Sequence, residues 1–227
     1  MGREKSTQFS DELSLLAERA SSFDIHLTTS EIELLTIHLR ELLEWNQRFN
    51  LTGLKTAERI VIELFLDSLI PTPFLPKEGR ILDVGSGAGF PGVPLKVLRP
   101  RADIRLLESN ARKGNFLKHI IRLLYLNGVQ VIRGRIERPG EWFDEELFKV
   151  ITARALGDLR RVIPWCTPLL QDGGFLVTFL GAEGEKIIAR NKAFIDSHGL
   201  RIYQHIPYSL TEKTLTRHTF ILKKHEA

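Results

Sequence analysis

Residues 81–92 read ILDVGSGAGFPG, a short apolar run that passes directly into closely spaced glycines. Such a run, followed by glycines and then by an amphipathic segment, is typical of a strand, a tight loop and the start of a helix. Glycine has no Cβ, so the backbone of such a loop adopts positive φ angles and approaches a ligand closely. The stretch therefore predicts a ligand-binding loop at the end of a strand.

Three classes of ligand use a loop of this kind. A phosphate-binding P-loop requires Lys and then Ser or Thr after its last glycine, whereas Val93 and Pro94 follow Gly92. The dinucleotide fingerprint GxGxxG is also broken, because Phe90 stands where the third glycine is required. A nicotinamide or flavin cofactor is therefore disfavoured. What remains is an acid, Asp83, two residues before three alternating glycines, Gly85, Gly87 and Gly89.

Around this stretch, short runs rich in leucine or β-branched residues alternate with longer amphipathic segments. The predicted strands are 81–84, 104–107, 129–133, 149–153 and 175–180, followed after the last helix by LRIYQHIPY and RHTFILKK. Strands that alternate with helices indicate a parallel, doubly wound sheet, and two consecutive strands indicate an antiparallel ending. Residues up to 76 have helical periodicity, with Ser30 and Glu33 in capping-box spacing. We predict an α/β fold with a helical extension over residues 1–76 and a second domain over residues 77–227.

The composition is that of an ordinary globular protein, with 43% hydrophobic and 26% charged residues among 227. The single cysteine, Cys166, excludes a disulfide framework or a cysteine-based zinc site within one chain and indicates a reducing compartment. The sequence begins without an apolar signal segment, and no apolar run approaches the roughly 18 residues of a membrane span. We therefore expect a cytoplasmic protein without a membrane partner, and we expect it to be a monomer.

Charge is unevenly distributed along the chain. The formal net charge is +4, yet residues 1–80 hold 9 Lys and Arg against 13 Asp and Glu, and residues 81–227 hold 23 against 15. An uneven positive balance suggests a polyanionic partner, although it carries no information about the fold. The basic, partner-facing surface is therefore expected on the second part of the chain.

Asp83 and the alternating glycines resemble motif I of the class I S-adenosylmethionine-dependent methyltransferases. In that class the loop backbone approaches the methionine end of the cofactor, and an acid helps to organise it. Glu108 strengthens the resemblance, because it ends the next predicted strand 23 residues after Gly85, where a carboxylate can accept both ribose hydroxyls. Capping of a helix that begins near Ala111 is the alternative role for Glu108.

Several methyl acceptors are disfavoured by what the sequence lacks. ITARALGD follows the predicted fourth strand, where enzymes that methylate exocyclic base amines usually carry an NPPY-like turn. Cys166 lies in the apolar segment IPWCTPLL, which suits a buried filler better than the nucleophile needed for carbon-5 methylation of pyrimidines. The Asp/His/Glu metal cluster of catechol-type enzymes is not evident either.

A closer resemblance rests on six segments that occur in the order found in the family of ribosomal RNA small subunit methyltransferase G. They are WNQRFNLTGLKTAE, LFLDSL, ILDVGSGAGFPGVPLKVLRP, LLESNARKGNFL, GRIE and ITARAL. The sequence is similar to this family over roughly residues 45–180, and GxPGxPL after the glycines is not a general methyltransferase feature.

This resemblance implies a class I S-adenosylmethionine-dependent methyltransferase fold over residues 77–227, with a mostly parallel, seven-stranded sheet. The implied cofactor is S-adenosylmethionine, and the implied partner is 16S ribosomal RNA or the small ribosomal subunit. The implied reaction is methylation of a guanine at N7. Two rival functions stay open: a methyltransferase of the same class that acts on another RNA base or a small molecule, and an RNA-binding protein that senses S-adenosylmethionine.

The family resemblance also implies site residues. Together with the acid and glycines of motif I, it gives the cofactor-binding set Asp83, Gly85, Gly87, Gly89, Phe90, Glu108, Ile136, Glu137 and Arg154. Arg154 is also the candidate catalytic residue, since an arginine at the carboxyl end of a central strand lies over the cofactor crevice. Pairing with Asp158 is its alternative role. The sequence departs from the family at Leu180, because family members often carry Lys there, before the glycine at 181.

Guanine N7 already offers a lone pair, so its methylation requires no general base and no metal, and we expect neither. Catalysis would rest on holding N7 in line with the methyl group and sulfur. Phe90 and Trp165 are candidates for stacking on the base, whereas His119 and His218 are expected to be structural or surface residues. Phosphate contacts are predicted for the basic residues Arg112, Lys113, Arg133, Arg135 and Arg138.

Overall fold

The computed structural model describes residues 9–154, 157–210 and 216–226, so the last two residues of ITARAL lie outside the described part. A seven-stranded sheet forms the centre of the fold, and every predicted strand is present in it. The strands are β1 Arg80–Val84, β2 Asp103–Glu108, β3 Val129–Arg133, β4 Phe148–Arg154, β5 Leu170–Leu180, β6 Leu200–Tyr208 and β7 Arg217–Lys224.

The strand order is β3-β2-β1-β4-β5-β7-β6. Strands β1 to β5 pair in parallel, and β7 is antiparallel to both β5 and β6. The predicted doubly wound sheet with an antiparallel ending is confirmed. The order reverses between β1 and β4, and ligands of such sheets bind outside the carboxyl ends of the strands at this switch point.

Helices cover both faces of the sheet. On one face α5 (Gly92–Leu98) and α6 (Ala111–Leu123) pack against β2, and α6 also contacts β3. A separate hydrophobic core includes residues of α7 (Leu159–Cys166) and α8 (Gly184–Ser197), and α8 packs against β6 and β7. The segment IPWCTPLL is helical up to its last residue, because α7 ends at Cys166, a 3-10 turn covers Thr167–Leu169, and β5 begins at Leu170.

The N-terminal helices are α1 Ser10–Ser21, α2 Thr29–Phe49, α3 Ala57–Ile60, a π-helical stretch Val61–Leu66 and α4 Asp67–Leu69. The predicted capping box was placed two residues too late. Thr28 caps α2 and accepts from the amide of Glu31, whose side chain accepts from the Thr28 amide. Both pairs, Thr28 with Glu31 and Ser30 with Glu33, have the same spacing, and sequence alone did not decide between them.

This helical layer packs on α5 and α6 rather than standing apart. Helix α2 contacts both of them, α4 contacts α5, and Leu39 and Phe65 share one continuous core with Val93 and Ile104. The division of the chain at residue 76 stays a proposal. Within the described residues, no helix is long and apolar enough to cross a membrane.

Candidate active site

The glycine loop, residues 85–89, connects β1 to the turn before α5. Its φ angles are 70° at Gly85, 58° at Gly87 and 96° at Gly89, which are angles that L-residues with a Cβ rarely adopt. A side chain at any of the three positions would strain the loop. The alternation of glycines seen in the sequence therefore has a direct backbone cause.

The amides of this loop are largely bonded within the protein. Those with acceptors are the amides of Gly85, Ser86, Gly87, Gly89 and Phe90. A P-loop binds phosphate with backbone amides that point at the ligand. Because these five amides already donate to protein oxygens, the loop is unsuited to cradle a phosphate, in agreement with the exclusion made from the sequence.

Asp83 supports the loop from behind and is fully buried. One carboxylate oxygen accepts from the Gly92 amide at 3.0 Å, and the other accepts from the Thr152 hydroxyl at 2.8 Å. A Cβ at Gly92 would come within 2.7 Å of this carboxylate, so glycine lets α5 begin close to β1. Burial raises the pKa of Asp83 to about 6, and the hydrogen bonds and Arg154 oppose this rise. The structure brings Asp83 to the loop, and its cofactor role stays a prediction.

Glu108 lies at the end of β2 beside the loop. Its Oε2 accepts from the Gly87 amide at 2.9 Å and its Oε1 from the Asn110 amide at 2.7 Å. The alternative role of Glu108 as the cap of α6 is wrong, because the Asn110 side chain caps this helix by accepting from two amides. A carboxylate has about four acceptor positions, so capacity for two ligand hydroxyls remains.

Three cavities follow one another along the carboxyl ends of the parallel strands. The first measures 250 Å³ and is lined by Val84, Gly85, Leu107, Ser109, Gly134, Arg135, Ile136, Glu137, Arg161 and Trp165. The second measures 230 Å³ and is lined by Leu51, Thr52, Leu64, Gly85, Ser86, Gly87, Ala88, Phe90 and Arg154. The third measures 190 Å³ and is lined by Asp67, Arg154, Phe179, Leu180, Gly181, Tyr208 and Arg217.

Shared residues connect these cavities into one groove. Gly85 lines the first and the second, and Arg154 lines the second and the third. The groove lies at the switch point between β1 and β4, where ligands of doubly wound sheets bind. A further cavity of 260 Å³ lies where β6 begins and β7 ends, and it is lined by Arg201, Lys223, Lys224, His225 and Glu226, none of which lines the groove.

The guanidinium of Arg154 is held by the N-terminal helices. Its Nε lies 3.1 Å from Oδ2 of Asp67, and its Nη2 donates to the Glu63 carbonyl at 2.6 Å. Tyr208 donates to the other Asp67 oxygen at 2.5 Å, and Arg217 lies 3.5 Å from that oxygen. We call these five residues the Asp67 cluster. Glu63 and Asp67 hold Arg154 over the groove, although they lie almost ninety residues earlier in the chain.

The alternative pairing of Arg154 with Asp158 is wrong. Asp158 caps α7 instead, where its side chain accepts from the Arg160 amide at 3.0 Å. Asp67 was missed in the sequence although it lies in the quoted segment LFLDSL. The available signal was an acid at an apolar position of LFLDSL. In the structure Asp67 is 1% exposed, and a carboxylate is seldom fully buried without a partner.

Comparison with known proteins decides the family. A sequence model described as rRNA small subunit methyltransferase G matches residues 31–218. The chain belongs to this family. Ribosomal RNA small subunit methyltransferase G 1 of Syntrophobacter fumaroxidans is 41% identical over 174 residues, which cover 74% of this chain and 78% of the relative. The corresponding protein of Caldanaerobacter subterraneus subsp. tengcongensis is 34% identical over 216 residues, 93% of this chain and 90% of the relative.

Solved structures agree on the fold. The ribosomal protein L11 methylase from Lactobacillus delbrueckii subsp. bulgaricus is similar with a TM-score of 0.57 at 14% identity, over 72% of this chain and 79% of that one. The family resemblance and the predicted class I methyltransferase fold with an N-terminal helical extension are therefore both confirmed.

His38 is a second residue of this family member that sequence reasoning missed. It comes from α2, is fully buried, and its Nε2 lies 2.9 Å from the carbonyl of Ala88 in the glycine loop. The ring stacks on Phe90 at 4.9 Å and meets Phe65 edge-on. Burial lowers the pKa of His38 to about 4, with the Ala88 hydrogen bond opposing, so the ring is neutral at pH 7 and its Nε2–H donates. In the sequence, the only indication of this role was the position of His38 among the apolar residues of α2.

Of the predicted phosphate-binding residues, all of which the structure describes, only Arg135 lines one of the three cavities. Arg112 and Lys113 begin α6, Arg133 ends β3, and Arg135 lines the first cavity. Arg138 is exposed and lies 3.6 Å from Glu141. Their roles stay predictions.

The structure also shows what surrounds the other residues singled out in the sequence, Cys166, Phe90, Trp165 and His119. Burial raises the pKa of the Cys166 thiol to about 12, which suits the predicted filler and no nucleophile. Phe90 is 5% exposed and packed on His38, whereas Trp165 lines the first cavity. Phe90 also lines the second cavity, and stacking of either residue on the base stays a prediction. His119 lies 2.9 Å from Glu41 and joins α6 to α2.

Proposed function

We propose that this chain transfers the methyl group of S-adenosylmethionine to N7 of a guanine in 16S ribosomal RNA of the small ribosomal subunit. The observation that carries the proposal is the family match over residues 31–218. The glycine loop, Glu108 and Arg154 support it, because they meet at one groove. The fold alone would not name the substrate, since class I methyltransferase folds serve many acceptors.

The cofactor fits the first two cavities. Its adenosine would occupy the first cavity beside Ile136 and Glu137, with the ribose hydroxyls donating to the Glu108 carboxylate. Its methionine end would then pass Gly85 into the second cavity, where the missing Cβ allows close approach. S-adenosylmethionine supplies the electrophilic methyl group, and the protein supplies the orientation.

The acceptor guanine would approach from the third cavity, which Arg154 shares with the second. N7 attacks with its own lone pair, so no side chain needs to remove a proton. The contribution of the protein is alignment of N7, methyl and sulfur, and such positioning is worth roughly 7 to 11 kcal/mol. Arg154 is suited to orient guanine O6 or a neighbouring phosphate, because its planar fork matches both acceptors.

Contacts to the RNA backbone are proposed for Arg112, Lys113, Arg133, Arg135 and Arg138. Arg217 adds a cation to the third cavity, which Leu180 lines without a charge, and we propose that it supplies any substrate contact that the family lysine would make. Neutralised phosphates release counterions, so RNA affinity should fall steeply with salt. Arg135→Ala should reduce the slope of log RNA affinity against log salt concentration by about one unit. An unchanged slope would show that Arg135 does not contact the RNA.

Methyl transfer from labelled S-adenosylmethionine tests the proposal. The full chain is incubated separately with naked 16S RNA and with small subunits that lack the modification, and the RNA is then digested for mass analysis. Appearance of 7-methylguanosine supports the proposal. A different methylated nucleoside or small molecule would favour another acceptor, and tight cofactor binding without any transfer would favour a sensor.

We also propose that the protein acts as a monomer in the cytoplasm. A monomer suffices, because the loop, Glu108 and Arg154 of the groove all come from one chain, and light scattering of the purified protein measures this. We place the activity in the cytoplasm, where its proposed substrate is assembled. Fractionation of cells that produce the tagged chain tests that location.

A further inference from the structure

Three potential metal ligands converge outside the groove, where the start of α8 meets the β6–β7 hairpin. Nε2 of His205 lies 2.9 Å from Nδ1 of His218 and 3.9 Å from Oε1 of Glu185, and the three ligand atoms lie within 4.8 Å of one another. Among residues 9–154, 157–210 and 216–226, no other group of three His, Cys, Asp or Glu side chains converges in this way. Spacing in the sequence does not reveal this group, because its members come from three elements.

The fold brings these side chains together for identifiable reasons. His205 pairs with Phe220 and Pro207 pairs with His218, so the two histidines are diagonal neighbours on one face of the hairpin. The His205 ring stacks flat on Phe220 at 4.2 Å, which fixes its orientation. A Cβ at Gly184 would come within 2.7 Å of His218, so this glycine lets α8 begin directly above the hairpin and present Glu185.

We propose that Glu185, His205 and His218 bind a Zn²⁺ ion. Two imidazole nitrogens and one carboxylate are a common zinc ligand set that leaves a fourth position for water. With zinc–nitrogen bonds of about 2.0 to 2.1 Å, tetrahedral ligands lie about 3.3 Å apart. Two of the three separations, 2.9 and 3.9 Å, bracket that spacing, and the third is at most 4.8 Å, so the exposed Glu185 side chain needs to move inward to complete the site. The N–H shared by the two rings moves to the outer nitrogen of its own ring, and both lone pairs then face the ion.

The site would join α8 to the hairpin at the rim of the third cavity. His218 pairs with Leu180 in the β5–β7 ladder and directly follows Arg217, and both of these neighbours line that cavity. Zinc would therefore hold the strand that presents Arg217. It takes no part in methyl transfer, which needs no metal.

Titration of the metal-free, untagged full chain with Zn²⁺ tests the proposal. Calorimetry should give one ion per chain, and Co²⁺ as a spectroscopic substitute should show the intense visible absorption of tetrahedral coordination. Glu185→Gln and His205→Asn should each weaken Zn²⁺ binding by at least about ten-fold, the lower end of what even indirect partners of a metal contribute. Glu185 is exposed, so its variant is expected to fold normally, which circular dichroism verifies.

His198→Asn and Glu183→Gln are matched controls at the two ends of α8, and neither residue belongs to the group. Their Zn²⁺ affinity should equal that of the wild type. Absence of stoichiometric binding would overturn the proposal. Binding that persists at full strength in both Glu185→Gln and His205→Asn would overturn it as well, since the ion would then lie elsewhere.

Discussion

Replacing His38 by Gln removes a titratable ring from behind the glycine loop and keeps an N–H donor near the Ala88 carbonyl. Burial lowers the pKa of His38 from 6.5 to about 4 in the folded protein. Between these values the unfolded chain binds more protons than the folded one, so stability falls as the pH falls. The contribution of His38 is complete above pH 6.5 and is lost progressively toward pH 4.

The size of the effect follows from the two pKa values. The full shift from 6.5 to about 4 corresponds to about 3 kcal/mol, at 1.36 kcal/mol per unit. Between pH 7 and pH 5 the wild type should lose about 2 kcal/mol of unfolding free energy through this group. His38→Gln loses the packing of the ring at every pH, and that constant cost cancels when the two proteins are compared across pH.

Unfolding in urea at pH 7 and pH 5 measures this difference for both proteins. The stability gap between wild type and His38→Gln should narrow by about 2 kcal/mol at pH 5. His38→Phe adds a second readout, because it retains an aromatic ring but leaves the Ala88 carbonyl without its donor. Its affinity for S-adenosylmethionine should fall by roughly 3- to 10-fold, as expected for one hydrogen bond. If the unfolding free energies of wild type and His38→Gln changed equally with pH, the assignment of a neutral, buried ring would be refuted.

Three other substitutions probe the acids of the site. Asp83→Asn should show the opposite pH dependence, because burial raises the pKa of Asp83 from 3.8 to about 6. As the pH rises from 3.8 to 6, the unfolding free energy of the wild type should fall by about 2 kcal/mol relative to the variant, and urea unfolding that shows no such change would contradict a buried carboxyl. Glu108→Gln should weaken S-adenosylmethionine binding by about 1.5 to 3 kcal/mol in calorimetry, and an unchanged affinity would remove Glu108 from the cofactor site. Asp67→Asn should lower the unfolding free energy by about 3 kcal/mol, because it leaves Arg154 largely buried without its charge partner. The exposed control Glu141→Gln should cost less than about 1 kcal/mol, and equal losses in the two variants would contradict the importance of the Asp67 cluster.

The sheet and the glycine loop were predictable because their signals are local. Each strand is a short apolar run between turn residues, and each positive φ in the loop coincides with a glycine. A pattern of this kind depends on neighbours in the chain, so the sequence contains all the information required. The sequence alone did not decide the roles of Glu108 and Arg154. The alternatives, capping of α6 and pairing with Asp158, were also local, and only the folded structure excluded them.

His38, Asp67 and the His205–His218 pair were not predictable in the same way. Each depends on two segments that meet only after folding: α2 with the glycine loop, α4 with the end of β4, and two diagonal positions of the hairpin. A buried polar residue in an apolar stripe indicates that a partner exists. It does not indicate which partner, because a hydrogen bond can form to any segment that packs there.

The uneven charge of the chain acquires a second cause from these contacts. The sequence placed the expected partner-facing surface after residue 80, and part of the acidic excess before residue 81 is paired internally. Glu63 and Asp67 contact Arg154 and Arg217 of the basic part. These two arginines line the groove, and their side chains are held by acids rather than extended into solvent. Two positive groups held in this way stay ordered before an anionic ligand arrives, and less side-chain entropy is then lost on binding. The acidic N-terminal helices thus orient the cations of the groove at which we propose that the RNA binds.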